Sequence, residues 1–154
     1  MIQTEAVYQK ALKQIEDNER AFEAQKKQLA KEGLTADQIQ RFLDPSMSMI
    51  QDLKNDVAWY ENAKKGTFLP ITDTVTLGRA LIALRISRHM TQEELAKKLD
   101  VAQSQVSRDE NNHYHGISLD RVEKILAIFG ASLESKLIMS SERGEHPSRG
   151  RQAA

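Results

Sequence analysis

"TQEELAKKLDVAQSQVSRDENN", Thr91 to Asn112, decides how the chain is read. It has the pattern of two short helices joined by a tight turn. Thr91 precedes "QEELAKKL" as an N-cap, and Glu94 stands at the reciprocal capping-box position. Leu95 and Leu99 lie one turn apart and face inward, while Ala96 is small enough to let a following helix cross closely. Asp100 falls in the turn, where a left-handed backbone is expected; Asp adopts it more readily than most residues. Val101 and Val106 fill the angle between the two helices. The outward positions of the second helix are then Gln103, Ser104, Gln105, Ser107 and Arg108, with no carboxylate among its first six residues. Such a face of hydrogen-bonding side chains on a short helix is what a DNA major groove accepts.

The flanks supply the rest of a compact helical unit. Leu77, Leu81 and Leu84 share one face of a helix over about residues 75–88. Ser118 caps a later helix whose Val122, Ile125, Leu126 and Phe129 face a core. After Gly130, "SLESKLIM" alternates at period two; it reads either as a short strand or as a fifth helix beginning at Ser132. The segment 140–154 has no apolar periodicity and reads as a flexible tail.

Residues 77–130 resemble the Cro/C1-type (XRE, lambda-repressor-like) helix-turn-helix regulators of bacteria and phages. The resemblance rests on Leu84–Arg85, "TQEELA" at 91–96, Val106, Ser107, Arg108 and Glu110, and "ISLDRVEKILAIFG" at 117–130. It implies a four- or five-helix DNA-binding domain, double-stranded DNA as partner, and reading of the major groove by the helix at about 102–111. By position it implies that Gln103, Ser104, Ser107 and Arg108 read base edges. Thr91, Gln92 and Gln105, with Asn111, Asn112, His113 and Tyr114 of the following loop, would hold phosphates. Arg85 and Glu110 match a pair that bridges two helices structurally and does not read sequence. Three departures stand out. Asp100 replaces the turn glycine, and Ala102 replaces a Ser or Thr cap, a loss of about 1 kcal/mol. Asp109 stands where an aliphatic residue normally packs. A buried, unpaired carboxylate is costly, so Asp109 is expected to face a solvated gap or the loop carrying His113 and His115.

Residues 2–32 contain no Gly or Pro, and Tyr8, Ile15, Phe22 and Leu29 recur every seven positions. Gly33 ends this helix, and Thr35 with Gln38 forms a capping box for a second. There Ile39, Leu43, Ile50, Leu53, Val57 and Tyr60 follow a three-four pattern, interrupted by Pro45, where either a kink or a fresh helix is expected. The fold class is therefore all-α: an antiparallel helical hairpin over 1–64, a Gly- and Pro-containing linker over 65–74, and the DNA-binding domain over 75–139. One narrow seam is little core for some 60 residues. The hairpin either buries only its own faces or, the reading the sequence favours, associates with a second copy or another protein.

The bulk numbers narrow the function. Lys plus Arg and Asp plus Glu are each 22 in 154 residues, so no global basic field exists, and phosphate contacts must be local. The chain has no cysteine, which fits a reducing cytoplasm. It has no membrane-length apolar run and no signal-peptide core at its start. His113 and His115 lack the further ligands of a metal site, and no phosphate loop or nucleophile–base spacing indicates an enzyme or a cofactor. Two readings remain: a dimeric, sequence-specific repressor, or an antitoxin-type autoregulator whose hairpin holds a partner protein.

Overall fold

The computed structural model describes residues 1–136. Its regular structure is entirely helical over that range: α1 (Glu5–Lys31), α2 (Ala36–Lys64), α3 (Thr74–Ser87), α4 (Gln92–Leu99), α5 (Gln103–Asn111) and α6 (Leu119–Phe129). Local chemistry explains the boundaries. Thr4, Thr35, Asp73, Thr91 and Ser118 each accept a first-turn amide at the start of a helix. Ala102 alone provides no side-chain cap.

α1 and α2 run antiparallel. Near one end Tyr8 stacks on Tyr60 at 5.0 Å and donates to Glu61 at 2.8 Å, while Lys64 pairs with Glu5 at 3.0 Å. Further along, Lys54 reaches Glu19 at 2.6 Å. α2 continues through Pro45, so no fresh helix begins there. Pro45 and Arg41, four residues earlier, both lie on the exposed side, where water can serve the carbonyl that the proline leaves without a donor.

The hairpin does not stand apart from the rest of the chain. Ile2, Ala11, Val57, Tyr60 and Ala63 belong to the same buried cluster as Leu81, Ile82, Leu95, Val106, Val122 and Ile125. The segment 65–74 therefore links two parts that share one core. Phe68, Leu69 and Ile71 within it remain exposed. Away from this base the hairpin buries Ile39 and Leu43 but leaves Phe42 and Met49 more than half exposed.

α6 stops at Gly130, whose left-handed backbone lets Ala131 N–H close back on the Leu126 carbonyl. Residues 131–136 form neither the strand nor the fifth helix expected from their alternation. A strand needs a ladder partner for its backbone groups, and the described residues of one chain offer none. The remainder of that expectation, at 137–139, and the tail at 140–154 lie outside the described residues.

One close approach is decisive for the half of the chain that follows the hairpin. Gly78, within α3, lies so near the segment after α5 that a Cβ would sit 1.8 Å from the His113 carbonyl oxygen. Both sides of the contact are backbone, so no side chain can move aside. The substitution Gly78→Ala should cost at least about 3 kcal/mol, the upper range for overpacking, despite alanine's better helix propensity. A urea-denaturation midpoint equal to that of the parent protein would contradict this packing.

Candidate nucleic-acid interface

The interface is built on α4 and α5. The Thr91 hydroxyl accepts from Glu94 N–H at 3.1 Å, and the Glu94 carboxylate accepts from Thr91 N–H at 2.7 Å, closing the capping box. These hydrogen bonds hold the Glu94 carboxyl below the usual carboxylate range. Leu95 and Ala96 are buried on the inner face. Asp100 ends α4 in the left-handed region, at φ 55° and ψ 50°, and Val101 N–H returns to the Ala96 carbonyl at 3.0 Å. Val106 is fully buried between the helices and Val101 half-buried. This packing turns the opposite side of α5 outward.

Gln103, Ser104, Arg108, Asn111 and Asn112 are exposed, and Ser107 is half-buried at the edge of the same face. Arg108 lies back along its own helix, donating to the Ser104 carbonyl at 3.4 Å and to Gln105 Oε1 at 3.1 Å. Gln105 sits on the flank and is half-buried, so it belongs to a different side from Gln103. Gln92, at the start of α4, accepts from Gln103 Nε2 at 3.2 Å and donates to Glu110 Oε2 at 2.9 Å. The first residue of α4 and the first of α5 are thus held side by side.

Beneath them lies the Arg85–Glu110 pair. Arg85 Nε donates to Glu110 Oε1 at 2.5 Å and Nη2 to Oε2 at 2.6 Å, a bidentate contact between side chains almost wholly removed from solvent. The remaining guanidinium contacts go to main-chain carbonyls, Met90 at 2.8 Å and Gln3 at 2.9 Å. Nothing in the spacing of residue 3 announces this contact, because it lies 82 positions from Arg85.

Asp109 borders a small cavity with His115, Gly116 and Ile117 of the loop, as expected, and is paired as well. Its carboxylate accepts from Gln105 Nε2 at 2.6 Å, one turn earlier on α5, and pairs with Arg121 of α6 at 3.4 Å. The loop histidines do not neutralise it. The loop's link to this residue is through the backbone, Tyr114 N–H donating to the Asp109 carbonyl at 2.7 Å. With its side chain still a quarter exposed, Asp109 is both paired and partly solvated. Its position beside α6 accounts for the departure from an aliphatic residue. The i, i+4 spacing of Gln105 and Asp109 carried that signal in the sequence.

The loop after α5 is unusual in its backbone. His113 and Tyr114 both adopt positive φ, at 51° and 53°, before Gly116 at 75°. That conformation turns the Tyr114 ring into the core, where it is 4% exposed, and burial pushes its hydroxyl pKa well up. Tyr114 is therefore a packing residue first, unlike the surface side chain expected. His113 is half-buried, which lowers its pKa, whereas His115 is exposed. No helix of the described residues is long and apolar enough to cross a membrane.

Two substitutions probe this framework. Arg85→Met leaves Glu110 buried and uncompensated and should cost about 3–5 kcal/mol, while Arg85→Met combined with Glu110→Met recovers part of the loss. Equal stability of the single and double variants in thermal melts would count against a desolvated pair. Asp109→Asn, at a partly solvated site, should cost less than about 1 kcal/mol; a larger fall in the denaturation midpoint would mean that the Arg121 contact matters more than its length suggests.

Comparison with protein families matches residues 81–135 to the helix-turn-helix model HTH_3. The match runs from within α3 through α6 and contains the whole α4–turn–α5 unit. Comparison with curated proteins and with solved structures returned no significant match. The matched segment agrees with the motifs at 84–85, 91–96, 106–110 and 117–130 and with the geometry of α4 and α5. Residues 81–135 thus match a helix-turn-helix family model, and that match supports DNA binding and transcription regulation in general.

Proposed function

We propose that the protein is a sequence-specific repressor that binds operator DNA as a homodimer, with α5 in the major groove of each half-site. The observation that carries this reading is the side-by-side placement of Gln92 and Gln103 above a buried ion pair, next to an outward face without a carboxylate in its first turn. Gln103, Ser104, Ser107 and Arg108 read base edges; the amide of Gln103 matches the donor and acceptor of adenine. Arg108 must leave its contacts with Ser104 and Gln105 to do so, which the exposed position allows. Gln92 and the uncapped amides at the start of α5 approach the backbone, as do Thr91, Asn111, Asn112 and His113. Gln105 and Tyr114 contribute to phosphate binding only from the flank, since one is tied to Asp109 and the ring of the other is buried. Most of these donors are uncharged, in keeping with a chain of zero formal net charge.

The hairpin supplies the dimer contact. Phe42, Met47 and Met49 are 59%, 41% and 65% exposed on α2, apolar area that a second copy would cover. Two such domains would address half-sites about one helical turn, roughly 34 Å, apart. The same exposed residues suit a heterologous protein, which keeps an antitoxin-type autoregulator as the alternative. A co-purifying partner lost on removing the hairpin would favour that alternative. The protein would work in the cytoplasm, on the nucleoid when bound.

Duplexes selected by the protein from a random-sequence pool, compared with scrambled duplexes at one fixed salt concentration, test the reading. Gln103→Ala should weaken binding to the selected sequence by about 1–3 kcal/mol and leave scrambled DNA nearly unaffected. Equal losses on both would remove Gln103 from the base-reading set.

A further inference from the structure

α5 is short, its first turn has no side-chain cap, and among the described residues nothing covers Gln103, Ser104 and Arg108 of its reading face. Its orientation must be set from its inner side and its far end. Four groups converge there. Glu110, fully buried, is gripped by Arg85 and by Gln92 through its carboxylate. Its main-chain carbonyl is one of the last of α5, the group of acceptors that a helix end leaves without intrahelical donors. His113 N–H reaches that oxygen at 2.9 Å, and Gln3 Nε2 donates to it at 2.9 Å. The main-chain carbonyl of Gln3 also accepts from Arg85 Nη2 at 2.9 Å.

Gln3 is thus bonded both to the arginine that holds Glu110 and to the backbone of Glu110. It is itself held in place by Ile2, 2% exposed within the shared core, and by Thr4, the N-cap of α1. From the main-chain carbonyl of Gln3 a run of hydrogen bonds passes through Arg85, Glu110 and Gln92 to Gln103, with successive lengths of 2.9, 2.5, 2.9 and 3.2 Å, and the Gln3 side chain joins it through the Glu110 carbonyl. The helix-turn-helix match begins at residue 81 and does not include this segment.

We propose that Gln3 is a positioning residue for DNA reading: it clamps the C-terminal end of α5 and the Arg85 guanidinium, and so sets the angle at which Gln103 is presented. The inference rests on α5 being the reading helix. A supporting contact of this kind acts by narrowing the range of geometries of the groups that meet the ligand. It makes the residues before α1 part of the reading apparatus, although they lie outside the helix-turn-helix itself.

The test uses the full chain. Gln3→Met keeps the length of the side chain and removes the donor; Gln3→Ala removes the side chain altogether and serves should the first not fold. Gln3→His restores a neutral N–H donor at similar reach at about pH 8. Two readouts are taken: the ratio of affinities for a pool-selected and a scrambled duplex, and the side-chain amide NMR resonances of Gln92 and Gln103 without DNA. Loss of one hydrogen bond should lower the affinity ratio about five-fold in Gln3→Met. Both resonances should shift, and Gln3→His should bring ratio and resonances back toward the parent. A lowered melting temperature with ratio and resonances unchanged would make Gln3 only a structural strap and overturn the proposal. A shift in one readout without the other would overturn it as well. If the parent protein selects no sequence from the pool, the DNA-reading function falls, whereas the resonances still decide whether Gln3 reaches Gln103.

Discussion

The buried pair between Arg85 and Glu110 is the contact on which the DNA-binding half depends. Two charges are taken out of water, which is costly unless every donor and acceptor is satisfied. The surrounding structure meets that condition. Glu110 receives Arg85 twice and Gln92 once; Arg85 also reaches the carbonyls of Met90 and Gln3. Because these partners come from α3, α4, α5, the α3–α4 turn and the segment before α1, satisfying the pair fixes all five relative to one another. Apolar packing of Leu95, Val106 and Ile125 provides much of the burial, but it has no direction. The pair provides direction, and it points α5 and Gln103 outward.

The hairpin contributes at two ends in different ways. Its base merges with the core of the DNA-binding domain through Val57, Tyr60 and Ala63, so the two parts do not move as beads on a string. Its far end keeps a thin seam and exposed Phe42 and Met49. Between the two parts lies a cleft of about 440 Å³, bordered by Glu5 and Lys64 of the hairpin and by Gln92 and Gln103 of the reading unit.

Much of the helix-turn-helix was legible from residue types alone. Thr91, Glu94, Asp100 and Ser118 act locally, through bonds to neighbours within a few positions, and each stands where its chemistry predicts. The partners of Asp109 were only half legible. Gln105 lies at helical spacing, but Arg121 comes from another helix. The burial of the Tyr114 ring was not legible, because two successive positive φ values, in residues other than Gly, Asn or Asp, turn it inward. The alternation after Gly130 suggested a strand, but alternation is a statement about faces and says nothing about whether a ladder partner exists.

By itself the sequence determined the all-helical class, the α4–turn–α5 unit, and the outward placing of Gln103, Ser104 and Arg108, though not that of Gln105. Those follow from propensity, capping and periodicity, all of which act over a few residues. Only the tertiary structure decided that the hairpin and the DNA-binding domain share one core, that Gly78 must stay free of a side chain, and that Gln3 joins the ion pair beneath Gln103. These depend on contacts between residues far apart in the chain, where no local spacing constrains which groups meet.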